Sequence, residues 1–263
     1  MIIDGKSIAQ DIYDELTDEI RTTGITPRLG IITCAPNFET QKYLALKKRK
    51  AEEVGVHIEV VEFPEMSTTE ELIAAVGQLG ARTHGVLVQL PLPAHIDTAA
   101  VVASVPISHD VDALNPDTTE TLSPVVGAIT EILKVHEVPI FECHVTIIGN
   151  GKLVGLPAAR WFTEHGAAVS VITKDTEDIA YYTKAADIIV CGAGSPGVLK
   201  PDMIKEGVVI LDAGTTEDGG ELRGDADPLC AEKATLFTPV PGGIGPITVA
   251  VLLRNVLTLA KRV

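Results

Sequence analysis

An apolar run from Val145 to Ile148 leads directly into Gly149-Asn150-Gly151-Lys152-Leu153-Val154-Gly155, and the segment Leu153 to His165 continues with helical character. A strand that ends in glycine and opens into a helix has few structural outlets. Its backbone amides turn toward one point, and the partial positive charge of the helix N-terminus attracts an anion there. Gly149 permits the tight turn, Gly151 lets a pyrophosphate approach the main chain, and Gly155 lets the helix pack closely on the sheet. The spacing is one residue longer than the usual dinucleotide fingerprint. Gly149, Asn150, Gly151, Val154 and Gly155 are therefore candidate contacts for a nicotinamide dinucleotide. At the end of the next expected strand, Ala168 to Thr173, the residues Thr173, Lys174, Asp175 and Thr176 fall where an adenosine ribose would lie. Lys174 suits the 2′-phosphate of NADP and Asp175 the free 2′-hydroxyl of NAD, so this stretch leaves both open.

The rest of the chain alternates strand and helix. Ile8, Ile12, Leu16 and Ile20 mark an amphipathic helix ending near Gly24. A strand follows at Leu29 to Cys34, a helix at Thr40 to Val54 closed by Gly55, and a strand at Val56 to Phe63. Ser67 with Glu70 predicts a capping box for a helix running to Gly80, and Gly85 to Leu90 reads as a third strand. From Ser108 to Pro124 the pattern dissolves into Asp, Asn, Pro and Thr, as expected of a crossing between domains. Beyond it come a helix at Val125 to His136, strands at Asp187 to Cys191 and Val208 to Leu211, a hairpin tip at Asp218-Gly219-Gly220 and a closing helix from Ile247 to Ala260. Such alternation predicts an α/β protein of two domains, each with a mostly parallel sheet. The first domain is expected over 1–120, completed by the C-terminal helix 246–263. The second, a doubly wound Rossmann-type sheet, is expected over 121–245, with the active-site cleft between the two.

Charge and cysteine content narrow the partners. The 36 acidic side chains outnumber 21 basic ones, for a net charge of −15, which repels phosphate backbones and excludes nucleic acid as the main partner. The densest positive stretch, Lys42, Lys47, Lys48, Arg49 and Lys50, stands out against that background. Cys34, Cys143, Cys191 and Cys230 are widely spaced, as expected of buried thiols in a reducing compartment rather than of disulfides or a metal site. With no apolar run of membrane-spanning length and no signal-peptide core after Met1, the expected location is cytoplasmic.

Tyr43 and Lys47 lie four residues apart and share a helix face, so a ring that can stack sits beside an amine that can move protons. Val88-Gln89-Leu90-Pro91-Leu92-Pro93 delivers a glutamine at a strand end, Asp110-Val111-Asp112 opens the crossing, and Thr238-Pro239-Val240-Pro241-Gly242-Gly243-Ile244-Gly245-Pro246-Ile247-Thr248 precedes the last helix. In this order the set resembles the bifunctional methylenetetrahydrofolate dehydrogenase/methenyltetrahydrofolate cyclohydrolase family, bacterial type, from Ile3-Asp4-Gly5-Lys6 to the final helix.

That resemblance implies oxidation of 5,10-methylenetetrahydrofolate with NAD(P) and hydration of the methenyl product to 10-formyltetrahydrofolate in one cleft. It makes Tyr43, Lys47, Gln89 and Asp112 the catalytic set: Tyr43 stacks on the folate, Lys47 handles protons, Gln89 orients Lys47, and Asp112 anchors the pterin. Val88, Leu90, Pro241, Gly242, Gly243, Gly245 and Pro246 join Tyr43 and Asp112 in lining the substrate site, and Thr215 touches the nicotinamide side. NADP is the expected cofactor with NAD possible, no metal is expected, and relatives pair as homodimers through the dinucleotide domain. The chain also departs from the family. Ala113 replaces the glycine of Asp-Val-Asp-Gly, Ser123-Pro124-Val125-Val126 replaces Pro-Cys-Thr-Pro, and Asn150-Gly151 and Lys174-Asp175 replace the usual cofactor-side residues. Those changes leave two alternatives in view: a folate- and dinucleotide-binding paralogue of reduced activity, or a form with only one of the two activities. A dehydrogenase acting on some unrelated small acid would make the Tyr43/Lys47/Gln89/Asp112 set accidental.

Overall fold

The computed structural model describes residues 1–115, 118, 121–218 and 221–262. The chain forms two compact units, one of Gln10–Pro124 with Val249–Val263 and the other of Met1–Ala9 with Val125–Thr248. Both are α/β with parallel sheets, the architecture expected from the alternation of strand and helix.

The first unit has a three-stranded parallel sheet in the order β2-β1-β3, formed by β1 (Arg28–Cys34), β2 (His57–Phe63) and β3 (Gly85–Val88). In register, Leu29 faces Ile58 on one side and Gly85 on the other. Helix α1 (Gly5–Thr23) precedes β1, and α2 (Phe38–Val54) joins β1 to β2. The side chain of Asn37 caps α2 by accepting from Thr40 N, and Gly55 closes it in the left-handed conformation. Helix α3 (Thr69–Gly80) packs so closely that a Cβ on Gly30 would lie 3.0 Å from Leu79 Cδ2. Ile32, Leu72, Val76 and Leu79 are fully buried there, and a buried aliphatic side chain of this size contributes about 1.5–3 kcal/mol.

The capping box of α3 falls one residue later than the sequence suggested, on Thr68 and Glu71. In the run Ser67-Thr68-Thr69-Glu70-Glu71 either frame fits the pattern. Packing decides, because Ser67 is buried and its carbonyl pairs with His95 Nε2 at 3.0 Å. A short helix, α4 (Thr98–Ala103), then leads toward a parallel bridge between Val86 and Asp110 that sets the Asp110 loop beside β3.

In the second unit, helix α5 (Pro124–Val135) precedes five parallel strands in the order β10-β7-β6-β4-β5. These are β4 (His144–Ile148), β5 (Ala168–Ile172), β6 (Ile188–Cys191), β7 (Val209–Asp212) and β10 (Leu236–Phe237). Strand β4 pairs with β5 on one side and β6 on the other, so the winding reverses there and opens a crevice at the C-terminal strand ends. Helix α6 (Gly155–Glu164) begins two residues later than expected, after a turn, and α7 (Ile179–Ala185) and β10 are elements too short to give a periodic signal. The hairpin β8 (Thr216–Asp218) and β9 (Glu221–Arg223) is present, while Gly219 and Gly220 of its expected tip lie outside the described residues. Pro116 of the expected crossing also lies outside them.

Helix α8 (Ile244–Ala260) starts three residues earlier than expected, taking Gly245 and Pro246 into its first turn. Proline there sacrifices an amide that has no helical partner in any case. Cys34, Cys191 and Cys230 are buried free thiols, whereas Cys143 is half-buried, because it precedes β4 instead of standing within it. Among the described residues no helix is long and apolar enough to cross a membrane, and no group of three or more His, Cys, Asp or Glu could hold a metal ion.

Candidate active site and dinucleotide crevice

In the first unit, Tyr43 and Lys47 stand one turn apart on α2, Gln89 is the residue immediately after β3, and Asp112 follows the Val86–Asp110 bridge. Lys47 is 6% exposed, and its Nζ donates to Gln89 Oε1 at 2.9 Å. The Gln89 amide nitrogen in turn donates to the Leu90 carbonyl at 2.9 Å, which fixes which end of the amide faces the lysine. Lys47 Nζ also lies 4.6 Å from the centroid of the Tyr43 ring, within cation–π range. Burial lowers the Lys47 pKa from 10.5 to about 8, with the Asp112 carboxylate opposing the shift. Burial raises Asp112 to about 6, with Lys47 pulling it down and Asp110 pushing it up. Val88 is buried and Leu90 half-buried beside Gln89.

Three further residues, none of them assigned a role from the sequence, support this constellation. Asp110 is buried, and its carboxylate accepts from the amides of Asp112, Leu114 and Asn115 and from Thr118 Oγ1 at 2.7 Å. The first aspartate of Asp-Val-Asp thus organises the loop that presents the second. Within that loop Ala113 has φ 49°, a conformation that favours glycine. Asn255 Nδ2 donates at 2.8 Å to the carbonyls of both Val111 and Leu122, tying the two ends of the loop to α8. A lone asparagine in the apolar stretch Val249 to Leu259 was the available signal. The third is Tyr13, a buried phenol whose pKa burial raises further, with Tyr43 adding to the effect.

In the second unit the glycine turn is shaped by backbone contact. A Cβ at Gly155 would lie 2.0 Å from the Gly149 carbonyl oxygen, and one at Gly149, where φ is 103°, would lie 2.6 Å from that of Gly192. Neither position has room for a side chain. A Cβ at Gly151 would meet nothing within 4 Å, so that residue faces open space. No side chain caps the N-terminus of α6, and Val154 at the cap position packs against Gly192. A cradle of bare main chain at an uncapped helix start, at the point where strand winding reverses, fits a dinucleotide pyrophosphate.

At the end of β5, Thr173 to Thr176 forms a compact turn in which Thr173 N donates to Thr176 Oγ1 at 3.1 Å and Asp175 N to Thr173 Oγ1 at 3.3 Å. Lys174 and Asp175 are both exposed, and Thr215 is exposed on the loop after β7. Pro241, Gly242, Gly243, Gly245 and Pro246 also belong to the second unit. There Gly5 N donates to the Gly242 carbonyl at 3.0 Å, and Gly5 has no space for a Cβ against the Gly243 oxygen.

A doubly wound parallel sheet with a glycine crevice at its switch point defines a nucleotide-binding α/β protein, and a second α/β unit with a buried lysine makes it an enzyme candidate. Residues 3–112 match the tetrahydrofolate dehydrogenase/cyclohydrolase catalytic domain, and residues 123–263 match the NAD(P)-binding domain of the same family. The curated bifunctional protein FolD of Nautilia profundicola is 36% identical over 99% of this chain and 97% of its own length. The crystal structure of bifunctional FolD from Campylobacter jejuni superposes with a TM-score of 0.95 at 34% identity, covering 100% of this chain and 99% of that one. The Trypanosoma brucei enzyme, solved with NADP cofactor and an inhibitor, gives 0.94 at 34% identity and covers 100% of this chain and 97% of its own. The chain belongs to the tetrahydrofolate dehydrogenase/cyclohydrolase family. Its activities are those two, carried by a catalytic domain and an NAD(P)-binding domain.

Proposed function

We propose that this chain oxidises 5,10-methylenetetrahydrofolate to the methenyl compound with NADP and then hydrolyses that product to 10-formyltetrahydrofolate, using Tyr43, Lys47, Gln89 and Asp112. Residues 1–120 with 246–263 serve the folate, and 121–245 serve the dinucleotide. The observation that carries this reading is Lys47: a buried amine held by Gln89 at 2.9 Å and kept near pKa 8. A lysine of ordinary pKa holds almost no free base at neutral pH, whereas this one does.

In the hydration step, water attacks the electrophilic methenyl carbon while the neutral Lys47 amine takes its proton. As the bond from that carbon to N5 of the folate breaks, the Lys47 ammonium returns the proton to N5 and the hydroxyl proton leaves to solvent, giving the formyl group. The positively charged methenyl substrate lowers the Lys47 pKa further, which enlarges the neutral fraction. Tyr43 stacks on the folate ring, with Val88 and Leu90 beside it, and the family resemblance implies Pro241, Gly242, Gly243, Gly245 and Pro246 as further substrate-binding residues. Asp112 pairs with the donor edge of the pterin, where a carboxylate's two oxygens match an amine and a ring N–H.

For the oxidation, bound NADP supplies the hydride acceptor. Gly149, Asn150, Gly151, Val154 and Gly155 would hold its pyrophosphate, Thr173 and Lys174 its ribose end, and Thr215 the nicotinamide side. Lys174 is exposed at the end of β5 and available to a 2′-phosphate. The protein works in the cytoplasm and pairs as a homodimer through the second unit, whose outer strand β5 leaves Val171 40% exposed.

One side-by-side assay tests the core of this. Purified protein is given methylenetetrahydrofolate with NADP or NAD, and separately the methenyl compound alone. Reduced cofactor forming preferentially from NADP, together with loss of methenyl absorbance above the uncatalysed rate, is expected. Absence of both activities would sink the reading, and faster reduction of NAD would reverse the cofactor choice. Sedimentation at micromolar concentration checks the dimer.

A further inference from the structure

Two aspartates of the second unit are buried with no basic partner among the described contacts: Asp212, the last residue of β7, and Asp225, just after β9. Asp225 Oδ2 accepts from Ala193 N at 2.6 Å and Gly194 N at 3.1 Å, and its Oδ1 accepts from Ser195 N at 2.6 Å. One carboxylate thus gathers three consecutive amides of the loop that leaves β6. Asp212 accepts from Gly214 N at 2.9 Å and Ala226 N at 2.8 Å.

Each aspartate also packs where only a glycine of the other's segment fits. A Cβ at Gly214 would lie 2.2 Å from Asp225 Cγ, and one at Gly224 would lie 2.2 Å from Asp212 Oδ2. Two carboxylates in so dry a place are costly to bury and are offset there by the backbone amides they accept from. What they achieve is position. The loop gripped by Asp225 begins at Gly192, whose carbonyl is the atom that would meet a Cβ on Gly149. The main chain at Gly192 and Ala193 therefore abuts the glycine turn, and the loop that continues from it through Gly194 and Ser195 is held by Asp225.

We propose that Asp225, braced by Asp212, is a positioning residue for the dinucleotide: it holds the Gly192–Ser195 main chain as one wall of the crevice opposite the Gly149–Gly155 turn. This rests on the reading that the crevice binds NADP. Asp225→Asn keeps one acceptor oxygen but turns an NH2 toward amides that need an acceptor, and Asp225→Ala removes both acceptors. The NADP Kd of the unliganded proteins, measured by calorimetry, is expected to rise about tenfold in Asp225→Asn and further in Asp225→Ala. The KM for NADP should rise in parallel while the KM for methylenetetrahydrofolate stays unchanged, a split that general loosening of the fold would not produce. A second measurement needs no variant: in wild-type protein the amides of Ala193, Gly194 and Ser195 should exchange slowly and shift on addition of NADP. Unchanged affinity in folded Asp225→Asn, or NADP binding that leaves those three amides unshifted, would overturn the proposal. Wild-type protein that binds no NADP would overturn the dinucleotide reading itself.

Discussion

The two units build their sites from different parts of the chain. In the first, chemistry depends on side chains: a buried ammonium, an amide that orients it, an aromatic ring and a carboxylate. In the second, the crevice is made of main chain, and side chains matter mostly by their absence at Gly149 and Gly155 or by holding backbone from behind, as Asp225 does. A side-chain site can be disabled while its scaffold stands. A backbone site is disabled only through a new clash with its main chain or through loss of the groups that hold that main chain in place.

The sharpest way to break this contrast is Lys47→Met. Methenyl hydrolysis is expected to fall by about 10²–10⁴-fold, the usual range for a positioned acid–base group, while the NADP Kd stays at its wild-type value. Retained hydrolysis, read from methenyl absorbance, would remove Lys47 from its role. The corresponding change in the second unit is Gly155→Ala. Its new Cβ meets a backbone oxygen at 2.0 Å, which no rotamer can relieve. Urea denaturation should show a loss of about 1–3 kcal/mol, as for other overpacked sites, together with weaker NADP binding. A variant with unchanged stability and affinity would refute the close-packed crevice.

Gln89→Leu sharpens the first half of the contrast. Deprived of the oxygen that stabilises its ammonium, Lys47 should titrate lower still, and loss of a hydrogen bond to a charged group, about 1.5–3 kcal/mol, predicts a fall in hydrolysis of about tenfold or more. In the wild type, hydrolysis should climb with pH and level off above the limb near 8; in the variant that limb moves to lower pH. The linkage has a definite sign. Because the folded-state pKa of Lys47 lies below its ordinary 10.5, the unfolded chain holds the extra proton between about 8 and 10.5, so this group's contribution to stability improves as pH rises through that window. A rate profile flat from pH 6.5 to 9.5 would count against a titrating Lys47.

The smallest expected effect belongs to Ala113→Gly. At φ 49° alanine carries left-handed strain of about 1–2 kcal/mol, partly offset by the entropy that glycine loses on folding. A gain in stability of up to about 1 kcal/mol is expected, with no change at the cofactor side. A loss of stability on thermal melting would show that the Ala113 methyl packs favourably enough to outweigh the strain.

Periodicity placed nearly every long element within a few residues, because buried strands and amphipathic helices repeat on a fixed spacing. It misplaced the starts of α6 and α8, where glycine and proline leave no periodic trace, and it did not register α4, α7 or β10, whose few residues complete no pattern. The glycine turn was legible because strand, glycine and helix are contiguous. Tyr43 and Lys47 could be paired from helical spacing, but the link of Lys47 to Gln89, 42 residues away, came from motif order and not from any local rule.

By itself, then, the sequence determined the α/β class, the parallel sheets, the dinucleotide turn and, through the resemblance it carries, the family. Only the tertiary structure decided that Asp110 serves the loop while burial raises the pKa of Asp112, that Asn255 ties that loop to a helix more than 130 residues away, and that Asp225 grips three amides after β6. The reason is physical. Burial and hydrogen bonding are properties of surroundings assembled from distant segments, and two aspartates with identical letters acquire different roles only when those surroundings exist.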